Sequence, residues 1–233
     1  MRDRPSPDSR PTTRPTSLSV DLAVLSPQDG TLAVLVARTR EARSRERWFL
    51  PWDAPRGEES LADAAARIAR AVLGPSAPVV DQVLAFGDNR RHPGDADVSV
   101  GFMALVPRGA TPVQSPEFTW CGVMDLPILA PRHRAIVDAA RESVRDRLDQ
   151  SPIAFRLLPP TFTLSELQGI YELLLGRRLH KASFRRALQA ATLVEPTDEW
   201  RSEGRGRPAQ LFRYAPKKRR GARRGVRFDL LVG

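Results

Sequence analysis

The clearest candidate chemistry lies at residues 48–74, where a turn-rich loop with Glu58 and Glu59 leads into a helical pattern. Hard cations such as Mg²⁺ and Mn²⁺ need oxygen ligands, and a bound metal can polarise phosphorus and activate water. Ile68 and Val72 stand one helical turn apart and cannot ligate a metal. Two adjacent glutamates are too few for a dedicated site, so we expect no metal, no cofactor and no hydrolysis here.

The same stretch and the loop after it offer arginines to an anionic ligand. A solvated helix face is one interpretation, because Asp63 shares the face of Arg67 and Arg70. Anion binding is the other, because no glutamates remain on this helix to repel phosphate. The candidates for binding a nucleotide-type ligand are Arg67, Arg70 and Arg91.

A second group of side chains, between residues 181 and 210, is suited to nucleic acid. Arginine can form two hydrogen bonds to guanine, and glutamine can do the same to adenine. The candidates on a helical pattern are Lys181, Ser183, Arg185, Arg186 and Gln189. The candidates on the following hairpin pattern are Arg201, Arg205, Arg207 and Gln210. For any one of them, the alternative is a solvated side chain without a partner.

The charge distribution favours the same partner. Residues 177–227 hold 16 Lys or Arg and 4 Asp or Glu, whereas the whole 233-residue chain holds 37 and 27. The rest of the chain is therefore close to neutral, and we expect double-stranded DNA to bind the basic end. Residues 217–227 predict a basic tail that attracts DNA without specificity.

Composition excludes several classes of protein. The single cysteine, Cys121, cannot form an internal disulfide or a cysteine cluster. Residues 1–17 are rich in proline and carry no apolar run, which predicts a disordered tail. No apolar stretch approaches the roughly 20 residues of a membrane span. We expect a soluble, cytoplasmic protein.

The hydrophobic pattern predicts an α/β sandwich over residues 18–150. Apolar or β-branched runs that predict strands occupy 18–26, 31–40, 79–87, 98–106 and 118–123, with a short strand before Pro51. The first two runs flank Pro-Gln-Asp-Gly, which is typical of a hairpin. Helical spacing of apolar residues covers about 60–73 and 131–149.

The remaining pattern predicts a linker and a second domain. Adjacent prolines argue against a helix in residues 151–162, the expected linker. Thr163 and Glu166 have capping-box spacing, and Gly176 is placed to end the helix that they begin. A second helix at about 181–191 and a basic-tipped hairpin complete a winged helix-turn-helix over 163–215. A basic C-terminal tail follows at 216–233.

On these residues, the chain resembles the Nudix-related transcriptional regulators of NAD metabolism, the NrtR type. The segments that carry the resemblance are PIAFRLLPPTFTLSELQGIYELLLGRRLHKASFRRAL and GRPAQLFRY, with FGDNRRHPGDADVSVGFMAL before them. The resemblance implies a Nudix-like α/β/α sandwich that senses ADP-ribose or a related NAD metabolite, followed by the winged helix. It also implies a repressor that reads a palindromic operator as a homodimer.

The chain departs from the family pattern in the sensor half. In the Nudix box, G-x5-E-x7-R-E-U-x-E-E-x-G-U, Glu59, Arg67 and Gly74 stand at the E, R and G positions. The departures are Trp52 and Asp53 at the glycines and Ile68, Ala71 and Val72 at the helix glutamates. A family R-D-P-R segment reads Arg91, His92, Pro93 and Gly94, and F-D-H-R reads Pro131, Arg132, His133 and Arg134.

The three histidines, His92, His133 and His180, are far apart in sequence, and we interpret them as dispersed surface or packing residues.

Three functions remain open from the sequence. A ligand-responsive DNA-binding regulator accounts for the basic end, the winged-helix pattern and the degenerate box together. A nucleic-acid or protein adaptor without a small-molecule effector is the second, because random mutation of an unused cleft would also remove the glutamates of the Nudix box. A working pyrophosphohydrolase would need carboxylates from elsewhere, such as Asp88, Asp95 and Asp97, although acidic loop residues are usually solvated.

Overall fold

A computed structural model describes residues 15–38, 48–113, 117–202 and 208–216. Their strands are β1 (Leu18–Gln28), β2 (Thr31–Arg38), β3 (Trp48–Phe49), β4 (Trp52–Asp53), β5 (Val80–Phe86), β6 (Val98–Leu105), β7 (Phe118–Gly122), β8 (Thr161–Phe162), β9 (Val194–Arg201) and β10 (Ala209–Tyr214). Their α-helices are α1 (Leu61–Leu73), α2 (Pro131–Arg147), α3 (Leu164–Leu175) and α4 (Lys181–Ala191). None of these helices is long and apolar enough to cross a membrane.

The first seven strands form one sheet. Its order is β3-β2-β1-β6-β5, with β4 paired to β1 and β7 paired to β2. Asp29 and Gly30 turn the predicted β1–β2 hairpin, and both have positive φ angles, 45° and 77°, as a tight Asp-Gly turn requires. β1 and β6 run parallel, with Leu18 opposite Val98 and Leu25 opposite Leu105. This pairing brings residues about 80 positions apart in sequence side by side.

Helix α1 covers one face of the sheet. The Ser60 side chain accepts a hydrogen bond from the Asp63 amide and caps the helix, which ends at Gly74 with φ 85°. The buried stripe of α1 is Ala64, Ala65, Ile68, Ala69 and Val72. It packs on Val20, Leu22, Val24, Leu35, Val100 and Phe102 in a hydrophobic cluster confined to this face, the α1-face core.

Helix α2 covers the opposite face, and its core extends much further. Ile136, Val137, Ala140 and Val144 of α2 are all fully buried. They belong to one hydrophobic cluster, the α2-face core, that also contains buried residues of α3 and α4. The sensor half and the winged helix are therefore joined through shared apolar packing.

Residues 151–162, interpreted from the sequence as a linker, are part of the folded body. Ile153–Leu157 form a short 3-10 helix, and Ile153 and Leu157 are buried in the α2-face core. The expectation that prolines exclude helix here is wrong before Leu158, which is extended as the residue preceding Pro159 must be. Thr161–Phe162 then form β8, which pairs with β10.

The C-terminal elements form a winged helix. Thr163 and Glu166 make the predicted capping box at the start of α3, and Gly176 ends that helix in the left-handed region at φ 68°. Helix α4 follows, and β8-β10-β9 form a three-stranded antiparallel sheet. The predicted architecture, an α/β sandwich followed by a winged helix-turn-helix, is confirmed.

Candidate functional site

Helix α4 buries one side and presents a basic side to solvent. Phe184 and Leu188 are 0% and 1% exposed, and the Phe184 ring lies 5.5 Å from that of Tyr171 on α3. The outward side chains predicted from the sequence are exposed: Lys181, Arg185, Arg186 and Gln189. Ser183 is half-buried, with its hydroxyl 3.4 Å from Nδ1 of His180.

The exposed cations of α4 are not neutralised by neighbours. In the part of the chain that the structure describes, no carboxylate lies within ion-pair distance of Lys181, Arg185 or Arg186. By contrast, Arg178 in the preceding turn pairs with Glu172 at 3.3 Å. Because α4 is anchored through Phe184 and Leu188, its basic side is held rigidly and is available to an anionic partner.

The wing candidates divide into separate groups. Arg201 is placed by an ion pair with Glu166 at 2.7 Å, so it joins β9 to the first turn of α3. Gln210 is half-buried and donates to the carbonyl of Thr197 at 3.4 Å. Arg205 and Arg207 lie outside the described residues. Arg201 therefore has a structural partner, which its spacing in the sequence did not indicate.

Arg67, the first candidate for binding a ligand, is already engaged by protein groups. Its Nη1 lies 2.6 Å from a carboxylate oxygen of Asp53, and its Nη2 lies 2.5 Å from Glu59. Its Nη2 also donates to the carbonyl of Ala54. Burial alone would raise the pKa of Asp53, but the hydrogen bonds from Arg67 and Arg56 lower it. The hydrogen bond from Arg67 likewise lowers the pKa of Glu59.

Arg70 and Arg91 are differently placed. Arg70 is exposed in the last turn of α1. Arg91 is exposed in the loop between β5 and β6, and its carbonyl accepts a hydrogen bond from the Arg132 amide at 3.2 Å. The guanidinium of Arg67 is thus held by two carboxylates, whereas Arg70 and Arg91 have exposed side chains.

A buried polar cluster was missed by the sequence analysis. Oδ1 of Asp21 on β1 accepts hydrogen bonds from Nε2 of His92 and Nε2 of His133, each at 2.8 Å. All three side chains are buried. The expectation that these histidines are dispersed is wrong for His92 and His133, because the fold brings them together. His180 remains apart and exposed.

The hydrogen bonds fix the protonation state of this cluster. Nδ1 of His92 accepts from the Gly94 amide, and Nδ1 of His133 accepts from the Leu50 amide, each at 3.0 Å. Each neutral ring therefore carries its proton on Nε2. Burial by itself would raise the pKa of Asp21. The hydrogen bonds from the two histidines outweigh that effect, so the pKa is lowered and the carboxylate stays charged. Burial lowers the pKa of His133.

The same three residues have the composition and closeness of a metal site, since their ligand atoms lie within 4.8 Å of one another. Metal binding at Nε2 requires that atom to lose its proton, and the other ring nitrogen then usually donates a hydrogen bond. Here both Nδ1 atoms accept backbone amides instead, so the donor set does not fit a metal. We assign the cluster a structural role.

Comparisons with known proteins agree with this arrangement. The family described as the NrtR DNA-binding winged helix domain matches residues 154–214. A protein of Acinetobacter baylyi named ADPR responsive transcriptional repressor NtrR is 30% identical over 206 residues, which cover 85% of this chain and 82% of that protein. The chain belongs to the NrtR family.

Solved structures extend the comparison. Shewanella oneidensis NrtR complexed with a 27mer DNA is 30% identical, covering 85% of this chain and 94% of that one, with a TM-score of 0.74. A MutT/nudix family protein from Enterococcus faecalis is 19% identical, covering 88% of this chain and 89% of that one, with a TM-score of 0.67. The second likeness shows a shared fold alone, and it confirms the predicted Nudix-like sandwich.

The departures from the NrtR pattern in the sensor half meet in space. The Trp52 ring lies 4.7 Å from that of His92. Trp52 also covers Gly94 so closely that a Cβ there would lie 2.1 Å from the ring. Trp52, His92 and Gly94 thus fit one another, and a larger residue at position 94 would displace the indole.

The start of α2 holds the loop between β5 and β6 in place. The Arg132 guanidinium is almost fully buried and donates to the carbonyls of Asp88, Ala96 and Asp97. His133 adds the contact to His92 through Asp21. This NrtR-family chain therefore fixes the loop that carries Arg91 to the helix that also packs on the winged helix.

Proposed function

We propose that this chain is a transcriptional repressor that binds DNA through α4 and the wing and responds to ADP-ribose without hydrolysing it. The observation that carries the proposal is the exposed side of α4, where Lys181, Arg185 and Arg186 project from a rigidly packed helix. Membership in the NrtR family supports it, as does the ADPR-responsive repressor that shares 30% of its sequence.

Recognition follows from the chemistry of these side chains. Arg185 and Arg186 can bond guanine edges in the major groove, and Gln189 can bond adenine. Lys181 is assigned to phosphates, which position the protein without reading sequence, and Arg205 and Arg207 are assigned to phosphate or minor-groove contact. A winged helix reads a half-site, so the active form is a homodimer on a palindromic operator.

The test of DNA binding uses the double variant Arg185→Ala/Arg186→Ala. Each lost base contact costs about 1–3 kcal/mol, so the loss of two should lower operator affinity by roughly 30-fold or more. The matched control is Arg134→Ala, which removes an exposed arginine of α2 that pairs with Asp138. Fluorescence anisotropy with operator and random DNA measures both, and unchanged operator affinity in the folded double variant would remove α4 from recognition.

The α1 side of the sheet supports ligand binding without turnover. Asp63 is the acidic residue within α1, in its first turn, and the rest of the helix has no carboxylate to gather metal around a pyrophosphate. Arg67 is neutralised by Asp53 and Glu59. We therefore assign a phosphate contact to Arg70 rather than to Arg67. Arg91, exposed on the loop between β5 and β6, is the second candidate.

Calorimetry with ADP-ribose tests this half of the proposal. Binding should persist in EDTA and weaken in Arg70→Gln, whereas Arg134→Gln should bind as the unaltered protein does. Product analysis after incubation with Mg²⁺ or Mn²⁺ should show intact ADP-ribose. Metal-dependent cleavage would instead establish a hydrolase.

A second function is favoured by the Trp52–Gly94 contact and by the neutralised Arg67. Both reduce the space and the positive charge available to a nucleotide. In that case the chain is a DNA-binding protein with a Nudix-like fold and no effector. This function would be supported if calorimetry detected no binding of ADP-ribose and if ADP-ribose did not change the affinity for operator DNA.

A further inference from the structure

A cavity of about 470 Å³ lies where the sheet meets the winged helix. Its walls come from the β1–β2 turn, the segment after β7, helix α2 and the end of helix α3. Its lining includes the apolar residues Leu32, Val123 and Leu174 and the arginines Arg141 and Arg145. This volume is within the range of about 300–1,000 Å³ that small-molecule sites occupy.

The cavity is separate from the α1 side of the sheet. Leu32, Val123 and Leu174 belong to the α2-face core, and Leu173 packs against it. The residues of α1 belong to the other hydrophobic cluster. A ligand in this cavity would therefore lie on the opposite face of the sheet from Arg67 and Arg70.

Two arginines give the cavity a positive wall. Arg141 and Arg145 stand one turn apart on α2, and among the described residues no carboxylate lies within ion-pair distance of either. Nη1 of Arg141 contacts the Met124 sulfur at 3.0 Å, a weak acceptor. Nη2 of Arg145 reaches the Leu175 carbonyl at 3.5 Å. Most of their N–H donors thus remain for a ligand.

Other arginines of the same helix have stronger partners. Arg134 pairs with Asp138 at 3.2 Å, and Arg147 lies 3.8 Å from Asp81. Among the described residues that line the cavity, the one carboxylate is that of Asp125, so two guanidinium groups face a single negative charge. The cavity therefore has a net positive charge that suits one anionic group.

The remaining wall is apolar. Leu32, Val123, Leu173 and Leu174 lie beside the arginines, and Met124 is 73% exposed. Exposed apolar surface next to paired cations matches a ligand with an apolar body and a charged end. We propose that this cavity binds a small organic anion, a phosphate, sulfonate or carboxylate carried on an aromatic or apolar ring.

Such a ligand would touch α2 and α3 at once. It would therefore favour the arrangement of sheet and winged helix in which both walls are in place, and operator affinity would change with its concentration. This second site does not depend on ADP-ribose binding at the α1 side.

The test uses 8-anilinonaphthalene-1-sulfonate, which has one sulfonate and an aromatic body. The full chain should bind one molecule saturably, and Arg141→Gln/Arg145→Gln should weaken binding at least about tenfold, since two charge-assisted contacts are lost. Arg134→Gln is the matched control and should bind normally. Equal affinity in the double variant, with its fold verified by circular dichroism, would overturn the proposal.

A local signal places the probe independently of the variants. The chain has three methionines: Met124 lines the cavity, whereas Met103 is fully buried on β6. With ¹³C-methyl methionine, the Met124 resonance, assigned through Met124→Leu, should shift on saturation while that of Met103 stays. A Met124 resonance that does not move at saturation would also overturn the proposal.

Discussion

The two faces of the seven-stranded sheet are covered in different ways. The α1-face core closes on itself, because its described residues include none from the 3-10 helix, α3 or α4. The α2-face core continues from α2 into the 3-10 helix, α3 and α4. The protein therefore has one face that is independent of the DNA-binding half and one face that is shared with it.

This difference explains how the two halves can change separately. On α1, the residues at the glutamate positions of the Nudix box include Ile68 and Val72, which are now buried in the α1-face core. Replacing metal ligands there leaves the α2 face untouched. The hydrogen bonds of Arg132 to the β5–β6 loop and of His133 to Asp21 are contacts through which α2 holds the sheet and its loop.

The largest expected effect tests the shared core. Leu167→Ala on α3 removes a fully buried side chain and should lower the free energy of unfolding by about 2–5 kcal/mol. Because the core is continuous, the sensor should lose stability too. In a Trp200→Phe background, which removes the tryptophan of β9, urea unfolding followed by circular dichroism and by tryptophan fluorescence should give coincident transitions at a lower midpoint, since the remaining Trp48, Trp52 and Trp120 report on the sheet. If the fluorescence transition kept its midpoint in Leu167→Ala, the sheet and the winged helix would unfold independently and the idea of a shared core would be wrong.

A smaller loss of stability is expected when the contacts made by the first turn of α2 are removed. Arg132→Met leaves three carbonyls of the β5–β6 loop without their donor, which should cost about 2–3 kcal/mol. Arg134→Met, two positions along, removes a solvent-exposed ion pair with Asp138 and should cost about 0–1 kcal/mol. Similar urea midpoints for the two variants would show that the loop does not depend on Arg132.

The smallest expected effect is a pH dependence at the same contact. Burial lowers the folded-state pKa of His133, so the unfolded chain takes up the proton first as pH falls. The free energy of unfolding should therefore decrease as pH is lowered through about 6.5, with a slope of at most about 1.4 kcal/mol per pH unit.

The variant His133→Gln should flatten this slope, whereas His180→Gln removes an exposed histidine and should keep it. Guanidinium unfolding at pH 7.5 and 5.5, values chosen about one unit on either side of the ordinary histidine pKa, measures the difference. Equal slopes in the unaltered protein and in His133→Gln would contradict the assignment.

Sequence by itself determined the features whose causes are local. The capping box of Thr163 and Glu166, the left-handed Gly176 and the Asp29–Gly30 turn each depend on residues within a few positions, and each occurs where its signal predicts. The exposed side of α4 follows from helical spacing around Phe184 and Leu188. Periodicity and capping act over one or two turns, so a single sequence contains them.

Tertiary structure alone decided which distant groups meet. Asp21 reaches His92 and His133 across 71 and 112 positions, and the packing of the β5–β6 loop and α2 against β1, not sequence spacing, sets that meeting. The sequence predicted that Arg67 could bind a ligand, whereas the structure shows that its guanidinium pairs with Asp53 and Glu59. Residues 151–162, predicted to be a linker, are part of the α2-face core because Ile153 and Leu157 pack with apolar residues of α2 and α3. Burial and hydrogen bonding are properties of the assembled chain, and only the fold assigns them.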